Sequence, residues 1–199
     1  MSKSTSSSSD SKNSYFPIVE YEDASADIQK IYDDTKISLQ IPFVLNWFKC
    51  QGTNRTLLAG NWAKLKATLV EGVVPNILKQ LIIYNVSKTR GCDYCTQAHG
   101  AFADTLRSTI SDQEDFRPTA DLNSPIIPQS YRTAIKVISK AALNSEKIGN
   151  SDFQELHDAG FDIEEIQELM AQADLVNMLN TISYVSGIKI DNELVETQA

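Results

Sequence analysis

Residues 78–103 read LKQLIIYNVSKTRGCDYCTQAHGAFA, and two helical patterns meet within them at Gly91. Before the glycine, Leu78, Leu81, Ile82 and Val86 fall on one face of a helix. Pro75 suits its first turn, so the helix is expected from Pro75 to Lys88 and stops near Gly91. After the glycine, Cys92, Cys95, His99, Phe102 and Leu106 are spaced 3-4-3-4, which predicts a second helix over 92–107. Both cysteines then lie in or just before its first turn.

Working outward, the chain stays helical in pattern. Ile28, Ile31, Tyr32 and Thr35 make one face of a first helix. Pro42 interrupts, and IPFVLNWFKC reads as a short apolar helix or turn. Thr53 is the expected N-cap of a helix that buries Leu58, Trp62, Leu65 and Leu69, with Gly72 and Pro75 marking its end. Residues 108–125 are polar and read as a long loop. Tyr131 to Leu143 is amphipathic through Ile135, Ile138 and Ala142. Ser151 and Gln154 suggest a capping box opening a short helix that Gly160 ends. Asp162 and Glu165 suggest a second box, with Phe161 stapled to Ile166. The helix that follows buries Ile166, Leu169, Met170, Ala173 and Leu179 and stops at Gly187. No segment alternates like a strand between hairpin turns. The expected fold class is all-α.

The 199 residues carry 42% hydrophobic and 22% charged side chains, ordinary values for a globular protein, and a net charge of −8. Such acidity repels phosphate backbones and anionic lipid, which argues against nucleic-acid or membrane partners. There is no apolar run of membrane-span length and no signal-peptide core in the Ser-rich start, so a cytoplasmic location is expected. Residues 1–14 are expected to be a disordered tail and 15–199 a single helical domain. Three cysteines in a reducing compartment, two of them as C-x-x-C, point to redox or metal chemistry instead of a structural staple.

The segment GCDYCTQAH carries the chemical signal. A thiolate attacks peroxides and disulfides, and a helix N-terminus favours the anion. Two intervening residues let the sulfurs bond, so one can attack and the other resolve. His99, four residues after Cys95, shares its helix face and is a candidate base for the Cys95 proton. Two other readings stay open here. The three side chains can be core packing. They can also be zinc ligands, with Cys50 or His157 as a fourth. A c-type haem is not indicated, because that pattern needs histidine directly after the second cysteine. Trp47 and Trp62 read as core residues.

The quoted stretch resembles the alkylhydroperoxidase D-like (AhpD-like) branch of the carboxymuconolactone decarboxylase superfamily, in its peroxidase-related members. IPFVLNWF at 41–48, YRTAIKVISKAALNSEKI at 131–148 and ELHDAGFDIEEIQELMAQADLVNMLNTISYVSGI at 155–188 extend the resemblance over most of 17–191. It implies an AhpD-like helical domain with the C-x-x-C at a helix N-terminus, assembled as a dimer, trimer or hexamer. It implies a peroxidase or thiol-disulfide oxidoreductase working on small hydroperoxides with a thiol reductant and with neither cofactor nor metal. By carry-over Cys95 attacks, Cys92 resolves and His99 joins a proton relay. The family's relay carboxylate sits twelve residues before the first cysteine, where this chain has Gln80. Glutamine orients an imidazole by hydrogen bonding but takes no proton. Glu71 is the nearest upstream carboxylate considered as a substitute, and Tyr94 is a further possible donor to the site. The lost carboxylate favours an alternative: a non-catalytic redox-sensing or interaction protein that retains the dithiol.

Overall fold

A computed structural model describes residues 14–196. Of the tail expected at 1–14, residues 1–13 lie outside them; the hydroxyl of Ser14 reaches the carbonyls of Phe16 and Ser186. The described residues contain helices and no strand. They are α1 (Ala26–Leu39), α2 (Asn46–Lys49), α3 (Arg55–Leu65), α4 (Asn76–Arg90), α5 (Asp93–Thr105), α6 (Gln129–Leu143), α7 (Asn150–Asp158), α8 (Ile163–Ser186) and α9 (Asn192–Glu196). A π-helical turn, Lys66–Val70, prolongs α3 and brings Leu69 into the core. Short 3-10 turns follow α5 and α6. Among the described residues no helix is long and apolar enough to cross a membrane.

α4 is the central element. Its Leu78, Leu81, Ile82, Ile83 and Val86 have no exposed surface, and it packs on α5, α6 and α8. Burying a side chain of that size contributes about 1.5–3 kcal/mol, so this face dominates the packing. The α4–α5 connection is Gly91, at φ 69°. Its N–H donates to the Lys88 carbonyl, and the Cys92 N–H donates to that of Ser87. That pairing closes α4 and needs a left-handed residue, which glycine adopts without penalty.

Most residues of the expected helix faces are buried, with Ile31, Phe102, Leu106 and Met170 only partly so, and several ends shift by local capping. Asn54, not Thr53, caps α3: its side chain accepts the Leu57 N–H at 3.1 Å. Pro75 stands just outside α4 with extended ψ, and the helix starts at Asn76. α5 begins at Asp93 with Cys92 as its cap residue. α6 begins at Gln129, so the loop before it runs later than expected. The Ser151–Gln154 box is not made. α7 opens one residue before Ser151, and the Gly149 N–H donates to Asp152 instead, at 2.9 Å. The Asp162–Glu165 box is made in both directions, each at 2.9 Å. Gly187 ends α8 at φ 67°, and α9 is an element that the sequence pattern did not mark.

Candidate functional site

The glycine turn sets the site. Because Gly91 closes α4 and Cys92 opens α5, the Cys92 carbonyl already accepts the Thr96 N–H and the Cys92 side chain stands at the helix N-terminus. Cys95 follows one turn later. Both are buried, at 3% and 1% exposure, and are free thiols. α8 crosses them: the Cys95 sulfur lies 3.2 Å from the Ser183 hydroxyl. Asn180, one turn before Ser183, donates to the Ser87 hydroxyl at 2.8 Å.

The two thiols act as a pair. The Cys95 thiol hydrogen-bonds to Cys92 and pushes its pKa down to about 7 against the opposing cost of burial. Giving that hydrogen bond, together with burial, raises Cys95 well above the ordinary thiol range. The shared proton thus eases the first ionisation of the pair and hinders the second.

His99 is 8% exposed. Its Nδ1 lies 2.7 Å from Gln80 Oε1, and the Gln80 amide donates to Asn76 Oδ1 at 3.1 Å. With the amide nitrogen so engaged, Gln80 presents oxygen to the ring, which makes Nδ1 the protonated nitrogen and leaves the Nε2 lone pair free. Burial pushes His99 down to about 4, so the imidazole is neutral at pH 7. No hydrogen bond joins His99 to Cys95 among the described residues; the sulfur is held by Ser183 instead. Glu71 is exposed, and its carbonyl receives Lys79. Its carboxylate does not replace the missing one.

A cavity of about 600 Å³ opens in front of these groups. Leu39, Phe43, Trp47, Phe48, Leu69 and Phe102 supply apolar wall, and Asn76, Gln80, Cys95 and His99 line one side. Cys95 faces this space; Cys92 is not among its lining residues. Tyr94 also lines it, with its hydroxyl turned to structure: it donates to Asp191 Oδ2 at 2.7 Å and accepts the Trp47 N–H at 3.3 Å. Asp191 accepts the Asn46 N–H as well, at 2.7 Å. Burial raises the pKa of both partners. The Tyr94–Asp191 bond fastens the segment entering α9, whose Leu194 completes the wall.

Cys92, Cys95, His99 and Gln80 thus come together as one cluster. Cys50 and His157 do not join it. Cys50 is buried, donates to the Trp47 carbonyl and is pushed up to about 11 by burial, and His157 is exposed. Among the described residues no three His, Cys, Asp or Glu side chains are placed to hold a metal ion. Sequence reasoning missed Ser183, Asn180 and Asp191. The one available signal was Asn180 and Ser183 lying within the apolar stripe of α8, where a buried polar residue needs a partner.

No protein-family model matches the chain, and no curated protein matches it significantly. Solved structures do. An alkylhydroperoxidase AhpD core structure, of an uncharacterized peroxidase-related protein from Ralstonia eutropha, is similar with a TM-score of 0.78 and 21% identity, over 91% of this chain and 94% of that one. An uncharacterized peroxidase-related protein from Silicibacter sp. gives 0.76 and 22%, over 90% and 92%. The debrominase Bmp8, as a cysteine-to-alanine variant in complex with 2,3,4-tribromopyrrole, gives 0.73 and 18%, over 94% and 98%. Likeness at these identities speaks to architecture, and the chain has the all-helical fold of the AhpD core.

Proposed function

We propose that the chain is a peroxidase-related, AhpD-like member of the carboxymuconolactone decarboxylase superfamily that reduces small organic hydroperoxides through Cys92 and Cys95. The observation that carries this reading is a dithiol at a helix N-terminus whose second sulfur faces an apolar cavity. In the singly ionised pair the shared proton moves to Cys92, leaving Cys95 as the thiolate. The thiolate attacks the distal peroxide oxygen. An S–O bond forms, the O–O bond breaks, and the alkoxide leaves and takes a proton from water. The Cys92 thiol then attacks the Cys95 sulfenic acid, forming the disulfide and releasing water. Two electrons pass to the peroxide, and an external dithiol returns them by exchange. Neutral His99 accepts a hydrogen bond from the hydroperoxide O–H on its free Nε2, held in that tautomer by Gln80.

The test is steady-state peroxide consumption with a dithiol reductant. The wild type is expected to turn over and Cys95→Ser to lose turnover; full activity in Cys95→Ser sinks the assignment. A redox sensor instead forms the Cys92–Cys95 disulfide once and shows no steady-state rate. The likeness to a debrominase favours one other reading, two-electron replacement of an aryl bromide by hydrogen with release of bromide and formation of the same disulfide. Bromide release from a bromopyrrole, without peroxide turnover, would select it.

A further inference from the structure

We propose that the Ser183 hydroxyl is a catalytic group of this centre: it donates a hydrogen bond to the Cys95 sulfur and holds that sulfur as the thiolate. The inference rests on the dithiol being the reactive centre, but its readout is ionisation of the pair and requires no turnover.

Three observations converge. The hydroxyl oxygen is 3.2 Å from the sulfur, within reach of a hydrogen bond. The direction follows from the charge state: either atom can donate while Cys95 is a thiol, but the ionised sulfur has no proton and can only accept, so the serine is then the donor. The hydroxyl is also free for this task. Several helical threonines return their hydroxyls to a carbonyl of the preceding turn, as Thr89 does to Asn85, Thr96 to Cys92 and Thr105 to Ala101. Ser183 does not. The carbonyl four residues before it, that of Leu179, receives the Trp47 indole N–H.

The Asn180 amide gives one N–H to Ser87 and its side chain also favours the Cys95 thiolate, beside the serine. His99 Nδ1–H serves Gln80, and its other nitrogen can only accept. Ser183 is 3% exposed, which leaves little room for water to substitute. The ionisable groups around the pair are Asp93, Tyr94 and His99 on α5, Asp191 beyond Tyr94, and Cys50 near Ser186. α8 and α4 present Asn180, Ser183 and Ser87 to this region, none of them ionisable. Asp93 opposes ionisation, so no positive charge supplies what the hydroxyl supplies.

The experiment is thiolate absorbance against pH for the reduced full-length protein, with the rate of alkylation by iodoacetamide measured alongside. A hydrogen bond to a charged group is worth enough to move a midpoint by about one pH unit. Ser183→Ala is therefore expected to raise the first midpoint by about that much and to slow alkylation about tenfold below it. Ser183→Thr, which keeps the hydroxyl, restores both. An unshifted midpoint in folded Ser183→Ala overturns the proposal, as does a shift that Ser183→Thr fails to reverse. Should the alanine variant not fold, Ser183→Gly is read by the same criteria. A wild type that shows the Ser183-dependent midpoint but no peroxide turnover would refute the peroxidase reading and leave the serine's role standing.

Discussion

Gln80 illustrates how one side-chain atom changes the chemistry around it. Its oxygen accepts Nδ1–H and fixes the imidazole tautomer, but an amide carries no charge to favour the imidazolium, so burial governs and His99 falls from 6.5 to about 4. Gln80→Glu places a carboxylate at that position. The expected outcome is a His99 pKa raised by about two units and faster Cys95 alkylation at pH 7, read by imidazole NMR and by alkylation kinetics. An unmoved His99 titration would refute the pairing. The same residue gives a pH dependence. The folded pKa lies below the unfolded one, so between about pH 4 and 6.5 the unfolded chain binds more protons. His99 therefore favours the folded state above that window, and its contribution is lost as pH falls through it, by up to roughly 3 kcal/mol. Urea unfolding at pH 7 and pH 4.5 should show a smaller loss in Gln80→Glu. The position of His99 on the cysteine face was legible in the 3-4-3-4 spacing. That no hydrogen bond joins it to Cys95 among the described residues was not, because spacing fixes a face and not the partner reached across it.

At the scale of elements, the turn at Gly91 aims the dithiol. A β-carbon built there meets nothing within 4 Å, so the requirement for glycine is its left-handed backbone and not space. The helix ends also separate residues that cap from residues that only look like caps. Asp162 exchanges two hydrogen bonds with Glu165, whereas Ser151 lies inside α7 and caps nothing. Asp162→Ala should cost about 1 kcal/mol of unfolding free energy and Ser151→Ala under about 0.5 kcal/mol, compared by denaturant melts. Equal costs would contradict the capping geometry. The Asp162 box was readable because its partners are three residues apart and an apolar run follows. The start of α7 was misread because Gly149 offers no side chain for a pattern to register, and Asp152 takes its N–H.

Across the whole molecule, one buried ion pair ties distant segments together beside the site. Lys79, 1% exposed, pairs with Glu168 of α8 and donates to the Glu71 carbonyl. The other Glu168 oxygen accepts the Val73 and Val74 N–H groups at 2.8 and 3.2 Å. Gly72, at φ 96°, passes so close that a β-carbon there would lie 2.5 Å from the carboxylate. The arrangement anchors the start of α4, the turn that presents Asn76 and Gln80 to the cavity. Lys79→Met leaves the carboxylate buried without its counter-charge and should cost about 3–5 kcal/mol, measured by chemical denaturation. A loss under about 1 kcal/mol would place the pair effectively in solvent.

The sequence by itself determined the all-helical class, the inward faces of the long helices, and the placement of Cys92, Cys95 and His99 on one face at a helix N-terminus. These depend on interactions within three or four residues, which periodicity and capping record directly. Only the tertiary structure decided what those groups touch. Ser183 arrives 88 residues after Cys95, Asp191 arrives 97 after Tyr94, and Gln80 turns its oxygen to His99 because Asn76 takes its nitrogen. Packing between α4, α5 and α8 selects those partners. Burial then sets the protonation of each, since how far a group is removed from water depends on neighbours that sequence spacing does not record. The same packing keeps Cys50 and His157 apart from the dithiol.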